Sequence, residues 1–232
     1  MSKIIQGHAI KWISEKEELL VSISNKKLIT IPKGEISLYS LERVDKVGTP
    51  YIVYDFLHQT ISLMEISPNV FSHRAVMLEQ YNSLQVGSII RATVSGFNDF
   101  SVFLTYKDLS IKCSRSEVSN SYIKSLREYF SIGDNIPVTI IEKNPSSFFI
   151  ETSYKQCFDD CSSNYGSNDV LSGKVTGKIP NGNGYFVEFS PVLSGIVDGN
   201  IPSCSLNYGD IVTCQVRKAT SKGLKLDFIM KN

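Results

Sequence analysis

Cysteine, histidine and tryptophan are scarce in this chain, and neither sign of charge is in excess. The five cysteines are odd in number and irregularly spaced, which excludes a fully paired disulfide framework and favours a reducing, cytoplasmic setting. His8, His58 and His73 fall in no metal-ligand spacing. Cys157-x-x-x-Cys161 has neither a second pair nor a nearby His, so it reads as two free thiols, and no metal or cofactor is expected. No G-x-S-x-G, paired-carboxylate or Cys-His pattern stands out, and the adjacent Asp159-Asp160 sit in a polar stretch. The expectation is therefore a protein that is not an enzyme and has no small-molecule substrate. No apolar run approaches a membrane span, and the first residues carry Lys, Glu and Trp rather than a signal-peptide core, so no membrane partner is expected. With 24 Lys and Arg against 23 Asp and Glu, each third of the chain lies within one charge of neutral. That argues against a duplex-DNA binder driven by phosphate neutralisation, but it permits a surface that holds unstacked bases on aromatic rings.

What the chain does have is period-2 alternation, clearest from Val86 to Lys155. Ile90, Ala92 and Val94 alternate with Arg91 and Thr93. Asn98-Asp99 then supplies a turn before Phe100-Ser101-Val102-Phe103-Leu104. Leu109, Ile111 and Cys113 alternate with Ser110, Lys112 and Ser114. Ser119-Asn120 followed by Tyr122, Ile123, Leu126, Tyr129 and Phe130 predicts a short helix plugging one end of a barrel. Gly133-Asp134 leads into Ile136–Ile141, and Phe148-Phe149-Ile150 closes the unit. Five short strands with a helix after the third describe a small barrel.

The skeleton recurs. Downstream, Leu171–Gly177, Gly184–Phe189, Tyr208-Gly209-Asp210 and Leu224–Phe228 repeat its landmarks. Upstream, Ala9–Ile13, Leu19–Ile23, Leu28–Ile31, Val47-Gly48-Thr49 and Tyr51–Phe56 give a third copy. The expected fold class is all-β: three tandem five-stranded OB-fold barrels with short connecting helices. The units are 1–76, 77–155 and 170–232, with a bridging helix within Pro68–Leu84. A polar linker at 156–169 predicts that the third barrel is the one most free to move.

Taken together, a Val-Gly start, Asp99-Phe100-x-x-Phe103 on strand two, a Ser116-Glu117 turn and Gly133-Asp134 before strand four resemble the ribosomal S1-type RNA-binding domain. The resemblance is best in the central repeat. It implies single-stranded RNA as partner, with a ribosome or another protein as further candidates. The positions it points to are Phe103, Phe100, Ser114 and Phe149, and Lys112 and Arg115 join them as the nearby cations of the RNA-binding set.

Parity supports part of this set independently. Val102 and Leu104 share one face of strand two, which turns Phe103 outward. Lys112 points out from strand three beside it. An exposed ring next to a cation is a stacking platform beside a phosphate contact, unless a neighbouring barrel or loop covers the ring. Phe100 stands at an odd spacing from Phe103, so it fits either a bulged binding face or the core. The resemblance places Ser114 where the family has a His, and Phe148-Phe149 where it has a basic residue. Arg115 supplies charge or is a solvated turn residue.

The outer repeats depart further. In the third, Asn183 and Asp198 stand at the positions of an aromatic and a His, while Arg217, Lys218, Lys222 and Lys225 form a basic loop suited to backbone attraction or to plain solvation. In the first, Glu17-Glu18-Leu19-Leu20 replaces the aromatic pair and Trp12 reads as core, which suits a structural or protein-binding unit. The alternative for the whole chain is a protein-interaction scaffold built of OB barrels.

Overall fold

A computed structural model describes residues 4–159, 162–180, 184–198, 206–220 and 223–232. The protein is three five-stranded β-sheets with a single α-helix among the described residues. None of these elements is a helix long and apolar enough to cross a membrane. By contacts the chain forms two compact units. One holds Met1–Gln85 with Lys107–Leu109 and Asn144–Phe149; the other holds Val86–Tyr106, Ser110–Lys143 and Ile150–Asn232.

In the N-terminal unit, β1 (Ile4–Ile13), β2 (Glu18–Ile23), β3 (Lys27–Pro32), β4 (Thr60–Ser67) and β5 (Val70–Ser72) form an open sheet in the order β3-β2-β1-β4-β5. Ala9, Leu19, Val21, Ile31, Ile61 and Leu63 alternate inward to make its core, and Trp12 packs at the margin with its indole N–H donating to the Gly48 carbonyl. Tyr51–Asp55, expected as a strand, is a 3-10 turn: Val53 is buried while Tyr51 and Tyr54 are exposed, a spacing no strand gives. The strands expected there lie further on, in β4 and β5. Helix α1 (His73–Ser83) follows, its first turn capped by the Ser72 hydroxyl accepting from Ala75 N–H.

The second unit contains two closed barrels. The central one is built from β6 (Ile89–Phe97), β7 (Ser101–Tyr106), β8 (Leu109–Ser114), β9 (Asn135–Asn144) and β10 (Phe149–Ser153), in the order β10-β8-β7-β6-β9. The third uses β11 (Val170–Lys178), β12 (Gly184–Glu188), β13 (Ser194–Asp198), β14 (Ile211–Thr220) and β15 (Gly223–Lys231), in the order β11-β12-β13-β15-β14. Each barrel pairs its third and fifth strands in parallel, β8 with β10 and β13 with β15, and its first and fourth strands antiparallel, β6 with β9 and β11 with β14, which is OB topology.

The repeat extends to single hydrogen bonds. Before β9, Gly133 N–H donates to Val94 O at 2.9 Å and Val94 N–H to Asp134 O at 2.8 Å. Before β14, Gly209 N–H donates to Val175 O and Val175 N–H to Asp210 O, both at 2.8 Å. Gly133 and Gly209 have φ of +95° and +92°, so glycine is required in both turns. A β-bulge interrupts the first strand of all three sheets, between Ala9 and Lys11, Val94 and Gly96, and Val175 and Gly177.

The helix expected over Ser119–Phe130 is absent. The segment is irregular backbone with one 3-10 turn at Leu126–Glu128, although Ile123, Leu126 and Phe130 are buried as a plug would be. The carbonyls of Ile123 and Lys124 are turned to the Arg115 guanidinium, at 2.9 and 2.8 Å, and do not serve a helical ladder.

Candidate nucleic-acid interface

The bulge in each first strand sets the register of the second. Past it, Lys11 faces Leu20, Gly96 faces Phe103 and Gly177 faces Phe186. The three sheets thus share one outward position on the second strand, occupied by Leu20, Phe103 and Phe186. Phe103 is 40% exposed between buried Val102 and Leu104; Phe186 is 38% exposed between Tyr185 and Val187, both buried. Phe186 is not among the residues singled out from the sequence, although the alignment that sets Asn183 against Phe100 sets Phe186 against Phe103. The Gly that follows the bulge in both barrels, Gly96 and Gly177, was the available signal.

Phe100 is neither in the core nor on β7. It sits in the β6–β7 turn, 74% exposed, its N–H donating to Asn98 Oδ1 at 2.9 Å and its carbonyl accepting from Arg115 N–H at 2.8 Å. The bulge lies across the pair on β6, while Ser101 is buried.

The polar residues around Phe103 are tied to one another. Lys112 on β8 faces Glu151 on β10 in register, with Nζ 3.7 Å from Oε2. The other oxygen of Glu151 accepts the Ser114 N–H at 2.9 Å. Arg115 is a structural clamp: its guanidinium donates to the carbonyls of Asp99, Ile123 and Lys124 at 2.8–2.9 Å, binding the β6–β7 turn to the segment before β9. Phe149 opens β10 at 37% exposure and is grouped with the N-terminal unit.

On the third barrel, Arg217 is held between Asp198 and Asp227, so it does not stand as a free cation in the basic loop. Asp198 beside it raises the guanidinium's pKa. Lys218 and Lys225 face each other across the β14–β15 hairpin, both exposed and without an ion pair among the described residues. Lys222, like Asn183 and Cys161, lies outside the described residues.

The central and third barrels fall in one compact unit. Glu188, at the end of β12, is buried and accepts from the Ser119 hydroxyl and, at 2.5 Å, from the Tyr129 hydroxyl. Glu128 answers in the other direction: its Oε2 accepts from Tyr208 Oη at 2.8 Å and pairs with Lys174 at 3.2 Å. Lys174 also lies 4.9 Å over the Tyr129 ring. Burial pushes the Tyr208 phenol up to about 12, and burial together with the Glu188 bond raises that of Tyr129. Burial also pushes the Glu128 carboxyl up, but the Tyr208 hydroxyl and Lys174 outweigh it and hold the group below its ordinary value. Among the described residues of 156–169, Phe158 stacks edge-on with Tyr154 at 4.9 Å and Tyr165 packs on the third core.

No protein-family model matches the chain. Over 127 residues, 53% of its length, it is 28% identical to the small ribosomal subunit protein bS1 of Leuconostoc lactis. The bS1 protein of Staphylococcus aureus strain N315 is 26% identical over 163 residues, 63% of the chain. The chain spans 29% and 41% of those relatives, well under half of their length. Among solved structures, a multidomain protein with nucleic acid binding domains from Streptococcus pneumoniae TIGR4 aligns over 98% of this chain and 73% of that one, at 13% identity and a TM-score of 0.29. The a/eIF2alpha-aDim2p-rRNA complex from Pyrococcus horikoshii OT3 aligns over 35% of this chain and 50% of that one, at 20% identity and a TM-score of 0.32.

Proposed function

Since the chain is an S1-domain protein, distantly similar to ribosomal protein bS1 over about half its length, we propose that it binds single-stranded RNA and performs no chemistry on it. The observation that carries this reading is Phe103, a phenyl ring 40% exposed on the outer face of β7 with no role in the barrel core. A base stacked on such a ring contributes ~1–3 kcal/mol and needs no sequence-specific edge contact. The repeat at 77–155 is the principal binding unit, with Phe100 at the rim and Lys112 exchanging Glu151 for a phosphate. Phe186 offers a second ring on the third barrel, with Lys218 and Lys225 supplying backbone attraction.

Phe103→Ala should weaken single-stranded RNA binding by roughly tenfold, one stacked base, and leave the melting temperature nearly unchanged. A strongly destabilised variant would assign the ring to packing instead. The near-neutral charge and the pairing of Lys112 and Arg217 with carboxylates favour one rival, a scaffold that docks a protein such as a ribosomal component. A filter-binding titration with single-stranded RNA, single-stranded DNA and duplex separates the two: a scaffold binds none of them tightly.

A further inference from the structure

A polar pocket of about 120 Å³ opens at the rim of the central barrel, beside the turn that carries Phe100. Its walls include Phe97, Asn98 and Asp99 from the end of β6 and the turn after it, and Arg115, Lys124 and Arg127 from beyond β8. The lining therefore holds three cations against one carboxylate. Arg115 gives its protons to three backbone carbonyls, but carbonyls remove none of its charge. Arg127 is in no ion pair among the described residues. The Lys124 ammonium lies 5.8 Å over the Tyr208 ring and near enough to Glu128 to help lower that carboxyl's pKa, so its charge is shared between the pocket and Glu128. The Arg127 guanidinium lies 5.2 Å over the Phe97 ring, which fixes the cation at the pocket without neutralising it.

The uncharged donors point the same way. Asn98 uses its amide oxygen on the Phe100 N–H, which leaves its NH₂ group to donate. The Ser125 hydroxyl oxygen accepts from Arg127 N–H at 3.3 Å, so its proton is available too. A net positive pocket with several donors takes an oxyanion. The volume equals the liquid volume of roughly four waters, room for one phosphate group. A base is disfavoured, because the one ring in the lining is already covered by Arg127.

We propose that this pocket is a phosphate subsite that holds the backbone of a bound strand next to the base stacked on Phe100 or Phe103. Lys124 and Arg127 make the contact, and Arg115 positions the walls. The proposal rests on the RNA-binding reading above and refines it by placing the main electrostatic contact at the pocket and not at Lys112.

The test is the salt dependence of RNA binding by the full chain, with each variant's melting temperature measured to confirm folding. Lys124→Met with Arg127→Gln should lower the slope of log K against log salt by about 1.4, the value for two phosphate contacts on a single strand. The affinity gap to wild type should close as salt rises. Arg127→Lys should keep most of the slope, and Asp99→Asn should tighten binding at low salt. Phe103→Ala should weaken binding at every salt concentration and leave the slope alone. A folded double variant with the wild-type slope overturns the subsite while leaving the stacking reading intact. If the wild type binds no RNA, the RNA reading fails by itself and the pocket is tested with pyrophosphate by NMR. Saturable shifts at Ser125 and Arg127 that the double variant loses sustain an anion site; their absence overturns it.

Discussion

Replacing Glu188 tests whether the central and third barrels behave as one body. Glu188→Ala deletes two hydrogen bonds to a carboxylate, one from Ser119 and one from Tyr129. Bonds of this kind contribute about 1.5–3 kcal/mol each, but both partners recover something. Ser119 keeps the Pro191 carbonyl at 3.2 Å. Tyr129 lies beside a cleft of about 350 Å³, which admits water to its hydroxyl. The expected loss is therefore about 2–3 kcal/mol in total, below the additive maximum. At about 2–4 °C per kcal/mol for a unit of this size, the transition should fall by about 5–10 °C. The assay is urea unfolding read by two probes. Trp12, the only tryptophan, reports the N-terminal unit, and near-ultraviolet tyrosine ellipticity reports mainly the barrels that hold Tyr129, Tyr154 and Tyr208. In wild type the tyrosine signal should follow one transition for both barrels; in Glu188→Ala it should broaden or split while the tryptophan signal holds. Two resolved tyrosine transitions in the wild type, or an unchanged midpoint in the variant, would refute the reasoning.

Three further outcomes follow from the same structure. Arg115→Lys keeps the charge but not the planar fork that spans three carbonyls, so it should cost about 2–3 kcal/mol in urea unfolding; a loss under 0.5 kcal/mol would show that the clamp is replaceable by water. Burial pushes the thiols of Cys113 and Cys214 up to about 12 and 11, so at pH 8 both should resist iodoacetamide until urea unfolds the barrels, as read by peptide mass spectrometry. The depressed carboxyl of Glu128 stabilises the fold above its ordinary value of 4.5, and this contribution disappears as pH falls through the lower folded value. The wild type should accordingly lose more stability below pH 4.5 than Glu128→Gln, and parallel acid-denaturation curves would count against the pairing.

The sequence reading worked where a single strand decides the geometry. The outward face of Phe103 follows from Val102 and Leu104 alone, because period-2 alternation is local. It did not reach Phe100, since alternation says nothing about a residue in a turn, and Asn98 sets that turn. The Ser119–Phe130 segment has helical apolar spacing, but its Ser119, Asn120, Ser121 and Ser125 compete for backbone groups, and Arg115, distant in spacing from a helix partner, takes its carbonyls. The Lys112–Glu151 pair joins residues far apart in sequence through the parallel β8–β10 pairing, which no local pattern predicts. The contacts that Glu188 and Glu128 make between the central and third barrels were out of reach for a related reason: a polar, Ser- and Asp-rich stretch reads as a linker whatever the domains on either side touch.

The open N-terminal sheet leaves two strand edges that a closed barrel would not have, and such edges invite pairing with another chain. β3 meets the hazard with chemistry: Lys27 begins it, Pro32 ends it, and the Lys27 ammonium reaches across to the Asn69 amide oxygen at 3.1 Å beside the opposite edge. β5 meets it by brevity, with three residues before the helix begins. Between these guards, Leu28 is more than half exposed. Exchanging Lys27 for a β-branched apolar residue removes the charge from this edge and should favour edge-to-edge association through β3.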